Sequence, residues 1–203
     1  VCQFEPWSEG KIVHTLTSEK VMSASIKRNW TAQSLLRDIA TQTAPSPANA
    51  LIDTGALITG MDNREVAEFL LVHLRESVEG VVYLDRSDRK MILMREGGRS
   101  IGLDQCGVSP ENYFAFYDQV HTTGMDIQHS LDATAVLTLG KDMNFRDYVQ
   151  GSFRMRGIGQ GQKVVVYIIP EVAQLIEREV KAAGRIAEAQ PLPFCRESLP
   201  AGC

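Results

Sequence analysis

Apolar positions along this chain fall into two alternating kinds of run. Continuous stretches rich in β-branched and aromatic residues occupy positions 50–53, 81–84, 113–117, 134–139 and 164–169. Runs this short and unbroken predict strands buried on both faces, as in a parallel sheet. Between them, apolar residues recur three and four apart, the spacing of one helix face. Thr31 caps such a helix with Leu35, Leu36 and Ile39, and the prolines Pro45 and Pro47 follow its end. Asp62 or Asn63 caps a second carrying Val66, Phe69, Leu70 and Leu74. Asn144 caps a short third, with Phe145, Tyr148 and Val149, and Pro170-Glu171 opens a long fourth. A strand at 91–94 pairs with 81–84 through the polar turn 85–88, and residues 11–16 read as a short strand. Strands interleaved with helices predict an α/β fold, a largely parallel sheet with helices on both faces.

A length of 203 residues fits one domain with appendages. The expected division is an N-terminal extension with one helix over 1–47, a lobe over 48–189 and a Pro-rich tail over 190–203. Apolar residues make up 44% and charged residues 23%, which excludes disorder and fibre. The net charge of −4 offers no global attraction to phosphate backbones or anionic membranes, so any nucleic-acid contact requires a local basic patch. No apolar run reaches the ~20 residues of a spanning helix, and the first residues do not read as a signal peptide. An intracellular setting, cytoplasmic or nuclear, is expected. Cys2, Cys106, Cys195 and Cys203 form no CxxC pair and have no histidine at zinc-finger spacing, so no structural metal is expected.

Two segments have compositions suited to ligand contact. After the 113–117 run comes Asp118-Gln119-Val120-His121-Thr122-Thr123-Gly124-Met125-Asp126. In and after the third helix comes Gln150-Gly151-Ser152-Phe153-Arg154-Met155-Arg156-Gly157-Ile158-Gly159-Gln160-Gly161-Gln162. Ligands of open α/β sheets gather at the carboxyl ends of the strands, and both segments are assigned there. No Gly-x-x-x-x-Gly-Lys-Ser/Thr phosphate loop occurs in the chain. Taken singly, arginines such as Arg154 and Arg156 are ordinary surface or ion-pair residues.

In this order, with a strand between them, the two segments resemble motifs V and VI of superfamily 2 helicases. Thr123-Gly124-Met125-Asp126 matches the Gly-x-Asp core of motif V, and Gln150 and Arg154 match the first two polar positions of motif VI. The third position departs from the pattern: Gly157 stands where a second arginine is usual, and Arg156 is next to it. The runs from His121 to Asp126 and from Arg154 to Gln162 also resemble the helicase-like segment of very large fungal and oomycete proteins, some grouped with ubiquitin thioesterases.

The resemblance implies a second RecA-like lobe. It would present Arg154, Arg156 and Gln150 to ATP with Mg²⁺ held by a first lobe outside this chain. Thr122, Thr123, Gly124 and Asp126 would couple nucleotide to a bound nucleic acid or protein polymer. An isolated chain of this kind is not expected to be catalytically active. Two further readings stay open. One is a cysteine-dependent hydrolase of ubiquitin-type substrates with Cys106, His121 and Asp118 as its working groups. The other is an inactive RecA-like module for protein interaction.

Overall fold

A computed structural model describes residues 8–43, 46–122 and 126–182. Eight strands form one sheet: β1 (Met22–Ile26), β2 (Ala50–Ile52), β3 (Gly80–Leu84), β4 (Lys90–Met94), β5 (Ser100–Gly102), β6 (Tyr113–Tyr117), β7 (Thr134–Leu139) and β8 (Lys163–Ile168). Their order across the sheet is β1-β8-β7-β2-β6-β3-β4-β5. The first six run parallel, and β4 and β5 add an antiparallel edge. Five helices accompany it among the described residues: α1 (Ser8–Leu16), α2 (Ala32–Thr41), α3 (Asn63–His73), α4 (Phe145–Ser152) and α5 (Pro170–Ala182). The α/β class and the largely parallel sheet are as the apolar pattern predicts.

The central strands are buried along their whole length because both faces are covered. Leu51, Ile52, Phe114, Ala115, Val136 and Leu137 are shielded from solvent, and Leu36, Ile39 and Leu70 pack on them from the helices. Helices α2, α3 and α4 begin where their sequences say they should. Thr31, Asp62 and Asn144 each accept the N–H of the residue three positions on, and Ser34, Glu65 and Asp147 return a bond to the cap. These reciprocal bonds satisfy N–H groups that a helix leaves unpaired. At the far end of α3, the Arg95 guanidinium donates to the carbonyls of Leu74, Arg75 and Val78. That stitch fixes the chain between α3 and β3.

Strand order sets which face each connection crosses, because parallel crossovers are right-handed. The steps β1 to β2 and β2 to β3 move one way across the sheet, and α2 and α3 pack together on one face. The steps β6 to β7 and β7 to β8 move the opposite way, which puts the described residues 118–122 and 126–133 and α4 on the other face. There α4 meets α1, with the Tyr148 hydroxyl donating to the Leu16 carbonyl at 3.2 Å.

Three expectations change. Residues 11–16 lie in helix α1, not a strand; the segment's single apolar alternation is too short to distinguish the two periods. Of the expected N-terminal extension over 1–47, the described residues 8–43 do not stand apart, since β1 pairs along its length with β8 and α2 joins the core. Strands β1 and β5 were not expected. Both are edge strands with one neighbour, and their residues are mostly half-buried, so neither needs a strong apolar run. The tail at 190–203 lies outside the described residues.

Candidate functional site

Two places on the sheet gather polar groups. The first is at the carboxyl ends of β2 and β7, where the connections leaving adjacent strands part to opposite faces. A crevice of about 360 Å³ opens there, lined by Thr54, Ala56, Gln119, Lys141, Asp142 and Gln150, among others. Its floor is a close backbone crossing: a Cβ on Gly55 would lie 2.6 Å from the Gly140 nitrogen. Beneath it sits Asp53, only 2% exposed. Its carboxylate accepts from the Thr138 hydroxyl at 2.6 Å and from the Leu57 and Ile58 N–H groups at 3.0 and 2.9 Å. Burial raises the Asp53 pKa from the usual carboxylate value, although these three bonds favour the charged form.

Asp53 therefore has a testable signature. Because its folded pKa is raised, the folded chain holds this proton more tightly than the unfolded chain does. The group's contribution to stability is fullest below the unfolded value near ~3.9 and declines as pH rises through the folded one. Asp53→Asn puts an amide where one N–H donor now points, which is expected to cost ~1–3 kcal/mol. It should also remove that part of the pH dependence. Urea unfolding at two pH values, one on each side of the transition, checks both; an unchanged slope with pH would contradict the buried-carboxyl assignment.

The second place is a groove of about 1420 Å³ on the face crossed by α4. Its lining includes Lys90, Cys106, Tyr113, Asp126, His129 and Arg156. The Arg156 Nε donates to Asp126 Oδ1 at 3.0 Å, and both side chains are more than half exposed. Lys90 Nζ donates to the Asp126 backbone carbonyl. Arg154 is turned inward: it is 9% exposed, its Nε donates to the Gln150 carbonyl at 3.4 Å, and it makes further interactions within the fold. Burial lowers its pKa, with the positive Arg156 adding to the effect while Tyr117 and Asp126 oppose it. The Arg154 guanidinium nevertheless stays charged at any ordinary pH.

The run 157–162 closes on itself. Gln162 is 5% exposed, and its Oε1 accepts the Gly157 N–H at 2.6 Å while its Nε2 donates to the Ser130 carbonyl at 2.8 Å. Gln162 thus ties the glycine-rich loop to the β6–β7 connection, a role that its place in a polar run does not reveal. The loop leads into the amino end of β8, and so it lies at the opposite edge from the carboxyl-end position assigned to it from the sequence. The reason is that α4 carries the chain back across the sheet before the loop begins.

Among the residues singled out from the sequence, the structure brings Asp126 and Arg156 into contact and sets Arg154 beside them. Gln150 stands apart, lining the carboxyl-end crevice with its side chain half-buried. Thr123 and Gly124 lie outside the described residues, and of Thr122 only the backbone is described. His121 and Asp118 meet, His121 Nδ1 against Asp118 Oδ1, but Cys106 is not with them. Cys106 lines the groove near Tyr113, at the amino end of β6, whereas Asp118 and His121 follow its carboxyl end. The histidine that shares the groove with Cys106 is His129, whose Nε2 meets the Tyr117 hydroxyl at 3.0 Å. Burial pushes its pKa down to about 4, which makes it a weak base. Sequence reasoning passed over His129, because only the fold of the β6–β7 connection brings it under Tyr117.

No group of three or more His, Cys, Asp or Glu able to hold a metal ion occurs among the described residues. None of the described helices is long and apolar enough to cross a membrane. Comparison with protein-family models, with curated proteins and with solved structures finds no match to this chain.

Proposed function

We propose that this chain is the second lobe of a helicase-like, nucleotide-dependent remodelling protein, with Arg156 as the residue that reaches the nucleotide's phosphates. One observation carries the reading: Asp126 and Arg156 come from separate connections, 30 residues apart, and join at 3.0 Å in one groove on a largely parallel sheet. These are the acidic end of the Thr-Gly-Met-Asp run and an arginine of the Gln-to-Arg run, the two segments that resemble motifs V and VI. A guanidinium held on a surface carboxylate can exchange that partner for phosphate oxygens at modest cost, since exposed ion pairs are worth ~0–1 kcal/mol. Against a transferring phosphoryl group it would stabilise charge that develops only in the transition state. Asp126, released by that exchange, would report nucleotide state to the rest of the β6–β7 connection.

ATP and Mg²⁺ would be held mainly by a first RecA-like lobe. The chain has no phosphate loop, and the described residues offer no cluster of three metal-ligating side chains. The polymer acted on is a nucleic acid or a protein. Purified alone, the chain is expected to hydrolyse no ATP above background, whereas a protein in which it follows a lobe with a phosphate loop is expected to turn ATP over. Hydrolysis by the chain alone would sink the two-lobe reading, and a joined protein that binds partners without hydrolysis would favour the interaction module.

A further inference from the structure

The imidazole of His121 lies between two carboxylates. Its Nδ1 faces Asp118 Oδ1, and its Nε2 is 2.8 Å from Asp88 Oδ1. An ionised carboxylate only accepts hydrogen bonds, and a neutral imidazole carries one N–H. Both contacts can therefore be hydrogen bonds only when the ring holds two protons. We propose that His121 is a proton-operated latch: as an imidazolium it fastens the β3–β4 turn to the connection leaving β6, and on losing the Nε2 proton to solvent it lets the turn go.

The elements around the ring support this direction of release. Asp118 is 21% exposed and accepts from three donors, the His121 N–H at 2.9 Å, the His121 ring and the Asn63 amide at the start of α3. Asn63 also donates to the Leu84 carbonyl, so this side of the ring is anchored to α3 and to the end of β3. Asp88 is 72% exposed and meets the ring from the turn alone. The other charged groups of that turn are engaged elsewhere. Asp85 accepts from Arg89 and from the Ser87 N–H, and Arg86 pairs with Asp62 at 3.6 Å. Apart from the exposed Arg86–Asp62 contact, the turn is held together by its own bonds. Burial by itself would disfavour the charged ring, but the two carboxylates outweigh it, and the His121 pKa is raised from its ordinary value. The latch's stabilisation is accordingly complete below pH ~6.5 and is lost as pH rises through the folded value. The latch does not depend on any nucleotide reading.

The test is NMR titration of the histidine rings and backbone amides of the full chain between roughly pH 5 and 9, the range that brackets histidine titration. In the wild type the His121 midpoint is expected above ~6.5, and the Ser87, Asp88 and His121 amides are expected to shift with that same midpoint. Asp88→Asn should lower the His121 midpoint by about half a unit or more and abolish the turn's transition. Asp88 has φ +58°, a conformation asparagine tolerates well, so this variant should fold. His121→Gln, which cannot titrate, should leave the turn amides flat over the same range. A His121 midpoint at or below ~6.5, a midpoint unmoved by Asp88→Asn, or turn amides that ignore the ring's titration would each overturn the latch.

Discussion

Arg156→Ala, made in a protein carrying both lobes, is expected to lower kcat for ATP hydrolysis by about 10³-fold or more, the scale set by arginine fingers. The variant is informative because Arg156 contributes little to the fold. Its side chain is 58% exposed and its partner Asp126 is 61% exposed, so their pair should be worth no more than ~1 kcal/mol. Stability of the variant should therefore stay within that margin, and any large loss of turnover would be chemical. Arg154→Ala lacks this clarity. With only 9% of the residue exposed and bonds inside the fold, its removal should lower stability and activity together. Arg156→Lys keeps the charge but loses the planar fork, and little recovery is expected. Steady-state kinetics beside urea unfolding separates these outcomes. Near-normal kcat in Arg156→Ala would remove Arg156 from the proposed role and leave Arg154 as the remaining arginine of the segment.

Gly161→Ala should be the most damaging single-methyl change in the 157–162 loop. Gly161 has φ +124°, a region L side chains rarely adopt, and a Cβ there would lie 2.6 Å from the Leu131 backbone oxygen. Strain of the backbone is worth ~1–3 kcal/mol. Forcing two backbones apart adds a comparable amount. For a chain of this size each kcal/mol lowers Tm by about 2–4 °C, so the variant should melt roughly 5–15 °C lower. The damage should be local as well, because this approach holds the 157–162 loop against the connection from Asp126 to Leu131. Gly159 is the natural control: its φ is +78°, and the nearest atom to a Cβ is a Thr15 methyl at 3.5 Å. Asparagine accepts such a backbone, and Gly159→Asn should cost under ~1 kcal/mol. Calorimetry on the two variants decides the matter. Equal melting temperatures would mean that the Gly161–Leu131 approach is not a constraint on the fold.

What could be read from the chain alone was whatever depends on neighbours in sequence. The strand runs 113–117 and 134–139 carry apolar or aromatic residues on both sides of the pleat, interrupted only by Thr134 and Thr138, and that demands burial on both faces wherever the strand sits. Thr31, Asp62 and Asn144 mark helix starts because a cap bonds its own third successor. The likeness of two segments to helicase motifs is equally a local property, of residue types at fixed offsets. Edge strands β1 and β5 escaped notice because one neighbour and partial burial impose no strong pattern on five or three residues. The site depended on tertiary structure throughout. Arg154 and Arg156 are two positions apart and alike in sequence, yet one is turned inward and the other lies on Asp126. Cys106, His121 and Asp118 read as one possible set, but strand β6 separates the cysteine from the other two. His121 is joined instead to Asp88, 33 residues away, by a strand order that lays the β3–β4 turn beside the carboxyl end of β6. Such contacts arise from crossover handedness and sheet order, which are set by burying all the apolar runs at once, and no window of local sequence encodes them.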